Sequence, residues 1–134
     1  MTSVVVPVRY PLTDHSKRTL AEALRVAEEC DAALTVLHVN LYHHGREVSR
    51  AELKRVVENE FGRVANVQYV VREGFLVEET ILEEVAAEEA DAVIIGHKQA
   101  SRWRRMFRKL TADPDIEGFL REKLDAEVLT VGRE

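Results

Sequence analysis

The stretch "VREGFLVEETILEEVAAEEADAVIIG", Val71–Gly96, decides the fold. It begins in the tail of "NVQYVVR" (Asn66–Arg72), whose β-branched and aromatic residues predict a strand. Gly74 breaks that run. In "LVEETILEEVAAEEA", Val77, Ile81, Leu82, Val85 and Ala86 recur at helical spacing, so a helix with those side chains inward follows. Its glutamates, Glu78–Glu89, are expected to face solvent, with no carboxylates paired for acid–base chemistry. "DAVIIG" (Asp91–Gly96) is a short, almost wholly apolar run, the pattern of a strand buried on both faces. A strand, a helix and a second buried strand in this order make a parallel crossover unit.

The same alternation continues outward. "SVVVPV" (Ser3–Val8) reads as a central strand, with Pro7 near its end, where a lost backbone donor is tolerable. In "TDHSKRTLAEALRVAEEC" (Thr13–Cys30), Thr13 or Asp14 caps a helix whose stripe is Leu20, Ala23, Leu24, Ala27 and Cys30. "AALTVLHV" (Ala32–Val39) is the second strand. Ser49 and Glu52 form a capping-box pattern for a helix to Phe61, with Leu53, Val56, Val57 and Phe61 inward. Asp113 and Pro114 open a helix before the last strand, "EVLTV" (Glu127–Val131). The fold class is therefore α/β: a three-layer sandwich with five parallel strands and helices on both faces. Residues 1–134 read as one domain, without an internal repeat. Sequence alone leaves the strand order open.

Composition narrows the function classes. The hydrophobic fraction, 46%, is ample for a core. No apolar run approaches ~18 residues, so no transmembrane helix is expected. The opening "MTSVVVPVRYPL" has no basic leader, which leads us to expect mature protein in the cytoplasm. A single cysteine, Cys30, excludes a disulfide framework and a cysteine-rich zinc site, and its place in the stripe predicts a buried thiol.

Charge is unevenly spread. "GHKQASRWRRMFRKL" (Gly96–Leu110) holds Lys98, Arg102, Arg104, Arg105, Arg108 and Lys109 and no acid, in a chain of net charge −5. Trp103, Met106, Phe107 and Leu110 fall on one face of a helix over Ser101–Leu110. Four readings are open. The stripe packs on its own domain, and its bulk can fill a ligand's volume. Arg9, Lys98 and Arg102 converge on an anionic ligand. The segment Arg102–Lys109 meets a protein partner or a membrane surface. Or it contacts nucleic acid, which the acidic remainder of the chain disfavours. Ligands of open parallel sheets bind beyond the carboxyl ends of strands, at a switch in strand order. The first and fourth strands are the most buried-looking, so their ends are the expected mouth.

The arrangement resembles the universal stress protein family over essentially the whole chain. "VVVPV" with the helix opening "HSKRTLAEAL", then "LTVLHV", the Val71–Gly96 stretch and "LDAEVLTV" carry the likeness. The resemblance implies a sheet in the order 3-2-1-4-5, like that of the adenine-nucleotide alpha-hydrolases. It also implies a homodimer through the last strand, here Val128, Leu129, Thr130 and Val131. Many members bind ATP through a glycine signature after the fourth strand. Of that signature only Gly96 stands here: Gln99 holds the second glycine's place, and Pro114 and Asp115 that of the glycine–serine pair. Proline lacks an N–H and aspartate repels phosphate, so the amide cradle is largely dismantled. Arg9 replaces the aspartate of the ATP binders, while Pro7 and Val39 match adenine-contact positions.

The candidate pocket is thus Pro7, Val8, Arg9, Val39, Gly96, His97, Lys98, Gln99, Ser101 and Arg102. The leading expectation is a universal-stress-type binding or regulatory protein without conventional ATP binding and with no certain cofactor. The alternative is a sensor of a nucleotide or other phosphate-bearing ligand, and a nucleotide hydrolase ranks last. "DHS" (Asp14–Ser16) has the letters of a catalytic relay, but adjacent residues on a helix diverge. His38, His43 and His44 lack partners at metal-ligand spacing. The sequence offers no strong case for an enzyme.

Overall fold

The computed structural model describes residues 2–43, 47–110 and 126–131, excluding the side chains of residues 104 and 106–110. The elements run β1 (Ser3–Pro7), α1 (Asp14–Glu29), β2 (Ala33–Leu41), α2 (Arg50–Phe61) and β3 (Val67–Gly74). They continue with α3 (Val77–Ala87), β4 (Ala92–Gly96), α4 (His97–Leu110) and β5 (Glu127–Val131). All strand pairings are parallel, in the order β3-β2-β1-β4-β5, and the order reverses direction between β1 and β4. The helix expected from Asp113 and Pro114 lies outside the described residues, as do His44 and Asp115.

Alternation along β1 builds two cores. Val4 and Val6 join Leu20 and Ala23 of α1, Leu53 and Val57 of α2, and Leu34, Val36 and Ile94. Val5 points the other way, into a cluster with Leu37, Ile81, Val85, Val93, Ile95 and Trp103. Such runs cannot tolerate a polar face, which is why they read as continuous apolar sequence. The caps follow the sequence. Thr13 accepts from the Ser16 N–H at 3.1 Å, and Ser49 and Glu52 form the reciprocal box that starts α2.

Three expectations fail locally. Cys30 is exposed. It is the C-cap of α1, and Asp31 turns the chain with φ 51° before the stripe can continue inward. Ala86 is also exposed. And α4 starts directly at His97, four residues before the expected helix, so no loop separates it from β4.

The glutamates of α3 need the largest correction. Glu84 is buried and accepts from Arg72 Nε on β3 at 2.7 Å. Glu88 accepts from the Thr35 hydroxyl at 2.7 Å, and Gln68 donates to that hydroxyl at 2.8 Å. Burial pushes the Glu84 carboxyl up, but hydrogen bonds from Glu88 and Arg72 outweigh it and leave Glu84 below its ordinary value. Burial first, and then Glu84, raise Glu88 to about 7. Because that value lies above the ordinary carboxyl range, the stabilisation is complete in acid and is lost as the pH rises through 7. Partial exposure discounts the magnitude. Glu88→Gln is expected to gain about 1–2 kcal/mol over the native chain between pH 5 and pH 8. Urea melts at both pH values check this, and an unchanged difference would remove the proton from Glu88.

The two sheet margins are unlike. Leu34 N–H donates to Asn66 O at 2.8 Å, so by alternation the Tyr69 carbonyl points away from the sheet. Arg50 Nε of α2 donates to that carbonyl at 3.0 Å. On β5, Glu127 N–H donates inward to Asp91 O at 2.9 Å, which leaves Val128 and Thr130 facing outward. Leu129 is 39% exposed on the same strand.

Candidate functional site

A cavity of about 910 Å³ opens at the carboxyl ends of β1, β2 and β4. Pro7, Val8, Leu37, Val39, Leu41, Val48 and Val77 give it an apolar wall. Gly96 also lines it, in close packing. A Cβ there would come within 3.1 Å of Thr19 Oγ1, so glycine lets α1 approach the end of β4.

The polar frame is held by short links. Ser16 Oγ accepts from the Arg9 N–H at 3.3 Å and from Thr13 Oγ1 at 3.2 Å, which ties the segment after β1 to the first turn of α1. His38 Nδ1 lies 3.1 Å from Val8 O, so Nδ1 carries the proton and donates. Burial lowers the His38 pKa, although the bonds to Val8 and Asn40 oppose it. Asn40 clamps Val48 through both amide atoms, at 2.9 and 3.0 Å. The Tyr10 and His38 rings meet edge to face with centroids 6.3 Å apart.

Charge is one-sided. Arg9, Lys98 and Arg102 line the cavity, and among the described residues no aspartate or glutamate does. None of the three is ion-paired among the described residues. His15, also in the lining, is lowered first by Lys98, then by desolvation, Arg18 and His97, against the pull of Asp14. A cleft with low-dielectric walls and one sign of charge concentrates counter-ions of the opposite sign.

Of the ten expected pocket residues, the structure brings Pro7, Val8, Arg9, Val39, Gly96, Lys98, Gln99 and Arg102 to this cavity. His97 and Ser101 are not in its lining: the His97 ring meets the His15 ring edge to face, and Ser101 Oγ donates to the His97 carbonyl at 3.0 Å. Gln99 makes a long 3.5 Å contact with Glu78. Trp103 does not occupy the cavity. It is absent from the lining and fully buried, in the cluster with Val5, Ile95 and Ala100. Of the bulk that sequence offered as a plug, Trp103 is core, and the Phe107 side chain lies outside the described residues. Sequence reasoning missed Tyr10, Thr13, His15, Ser16 and Asn40 as lining. Thr13, His15 and Ser16 could have been found, since the first turn of the helix after β1 lies at the same end of the sheet.

The profile of the Universal stress protein family matches residues 1–113, and the chain belongs to that family. Among solved structures, it is similar to a universal stress protein in complex with cAMP, at 14% identity and TM-score 0.61, over 99% of this chain and 98% of that one. Universal stress protein UspA from Lactobacillus plantarum matches at 16% identity and TM-score 0.61, over 98% and 97%. A family member from Arabidopsis thaliana with AMP bound matches at 17% and TM-score 0.57, over 100% and 93%. These likenesses establish the shared fold. No curated protein matches the chain by sequence. Among the described residues, no helix is long and apolar enough to cross a membrane.

Proposed function

We propose that this chain is a regulatory binding protein whose cavity takes a small ligand with an apolar or aromatic body and a phosphate-type anionic group, and that it does not grip ATP through a glycine cradle. One observation carries the reading: Arg9, Lys98 and Arg102 line a single cavity that no described carboxylate enters. The apolar wall and the Tyr10–His38 pair suit a flat ring. Relatives of this fold hold cAMP and AMP, which have that shape and charge. Against a triphosphate stands the sequence resemblance, in which Gln99, here in the first turn of α4, takes the place of a signature glycine.

Calorimetry with AMP, cAMP and ATP tests this. AMP or cAMP is expected to bind more tightly than ATP, with affinity falling as salt rises. The pair Arg9→Ala and Lys98→Ala is expected to weaken binding about tenfold or more, the loss of two charge-assisted contacts. No heat and no melting shift at millimolar ligand would overturn the proposal. We place the protein in the cytoplasm as part of the same reading.

A homodimer through β5 belongs to it as well. The outward backbone groups of Val128 and Thr130 and the exposed Leu129 support antiparallel pairing about a two-fold axis. Thr130→Pro removes an outward donor and is expected to shift the sedimentation boundary to monomer at micromolar concentration. A native chain that sediments only as monomer would sink the dimer.

A further inference from the structure

We propose that anion binding in the cavity draws a proton onto His15, so that the grip on the ligand tightens as the pH falls. The inference rests on the reading of the cavity as an anion site and adds its regulation.

His15 stands on the first turn of α1 and lines the cavity together with Arg9, Lys98 and Arg102. Its ring meets that of His97 with centroids 5.7 Å apart. Arg18 Nη2 lies 3.3 Å from His15 Nδ1. A guanidinium only donates, so Nδ1 must offer its lone pair, and the neutral ring carries its proton on Nε2. Protonation forms an N–H bond at Nδ1, with the proton taken from solvent. That new N–H then faces the guanidinium, and Arg18 has to turn away.

The groups around His15 almost all oppose this step while the cavity is empty. From α1 come Arg18 and Asp14, and from α4 Lys98 and His97; only Asp14 favours the charged ring. Arg9, from the segment after β1, adds a third cation to the same cavity. An anion seated among Lys98, Arg9 and Arg102 reverses the local sign. It offsets the lysine that is the largest opposing influence on His15. Linkage then requires the converse: a charged His15 raises the affinity for the anion.

The sign is specific. A monoester phosphate gains charge between pH 5 and 7, which strengthens binding as the pH rises. A phosphodiester such as cAMP keeps one charge throughout, so its affinity reports on the protein alone. His38, on the same wall, already has its proton committed through Nδ1 to Val8 O, and it serves as the comparison.

The experiment is a proton NMR titration of the His15 ring, assigned with His15→Gln, with and without saturating cAMP. Calorimetry at pH 6.5 in two buffers of different ionisation enthalpy accompanies it. The expected result is an upward move of the His15 midpoint on binding, uptake of a fraction of a proton per ligand, and affinity roughly threefold or more tighter at pH 5.5 than at 7.5. Binding of cAMP with a stationary His15 midpoint, or uptake that follows the His38 resonance instead, overturns the inference and leaves the anion site standing. Absence of binding by cAMP, AMP and inorganic phosphate at every pH overturns both.

Discussion

Replacing Trp103 by alanine is expected to lower the unfolding free energy by about 3–5 kcal/mol, the usual cost of truncating a large buried aromatic. Trp103 is fully buried and is the largest such side chain among the described residues. It belongs to the cluster that also holds Val5 of β1 and Val93 and Ile95 of β4. A cavity of indole size cannot close here, because the strands beneath it are fixed by pairing on both sides. For a domain with typical stability of about 5–15 kcal/mol, the loss is a third or more. Trp103→Phe should cost much less. Among the described residues Nε1 has no hydrogen-bond partner, and phenylalanine removes that buried donor along with part of the ring. Chemical denaturation of both variants checks the pair. An unchanged midpoint for the alanine variant would mean that α4 is not anchored by this residue.

Gly74→Ala is the second large effect, about 2–3 kcal/mol of destabilisation through overpacking. The glycine ends β3 and is buried. A Cβ there would fall far inside contact distance of Thr80 Oγ1. That hydroxyl is held in place, since it donates to the Leu76 carbonyl at 2.8 Å, and Thr80 is itself buried. The first turn of α3 must therefore move. Val77, which opens the helix, lines the cavity, so ligand affinity should fall together with stability. Adding Thr80→Ala to Gly74→Ala should return much of the loss, as coupled neighbours do. If the double variant is no better than the single one, the clash is not the cause.

The strands were readable because they are buried on both faces: Val4–Val6 and Val93–Ile95 are runs that only a covered sheet accommodates. Their order was not readable from periodicity, and came from the family likeness. The start of α4 was hidden, because Gly96 reads as the opening of a loop, whereas here it is a close-packing glycine with Thr19 above it. Glu84 was misread for a different reason. Nothing in "ILEEVAAEE" marks one glutamate as buried, since its burial depends on Arg72 from another strand. The convergence of Arg9, Lys98 and Arg102 was one of four readings the sequence left open, and the reversal of strand order between β1 and β4 brings all three to one cavity. Cys30 shows the limit of a stripe argument at a helix end, where one left-handed residue, Asp31, redirects the chain.

Arg50 on the β3 margin has a wider consequence. An open parallel sheet ordinarily has two growing ends, and a protein with two such ends can polymerise. Here a side chain of α2 already occupies an outward carbonyl at one end, while the other end, β5, has no such guard among the described residues. Growth at the β3 margin would have to displace that guanidinium first, whereas the outward groups of β5 meet no such obstacle among the described residues. If two copies join there, each presents to the outside a margin whose Tyr69 carbonyl is already taken, which disfavours recruitment of a third. The guanidinium that caps a single carbonyl would then act as a stop signal for assembly, written on the side of the molecule farthest from the joint.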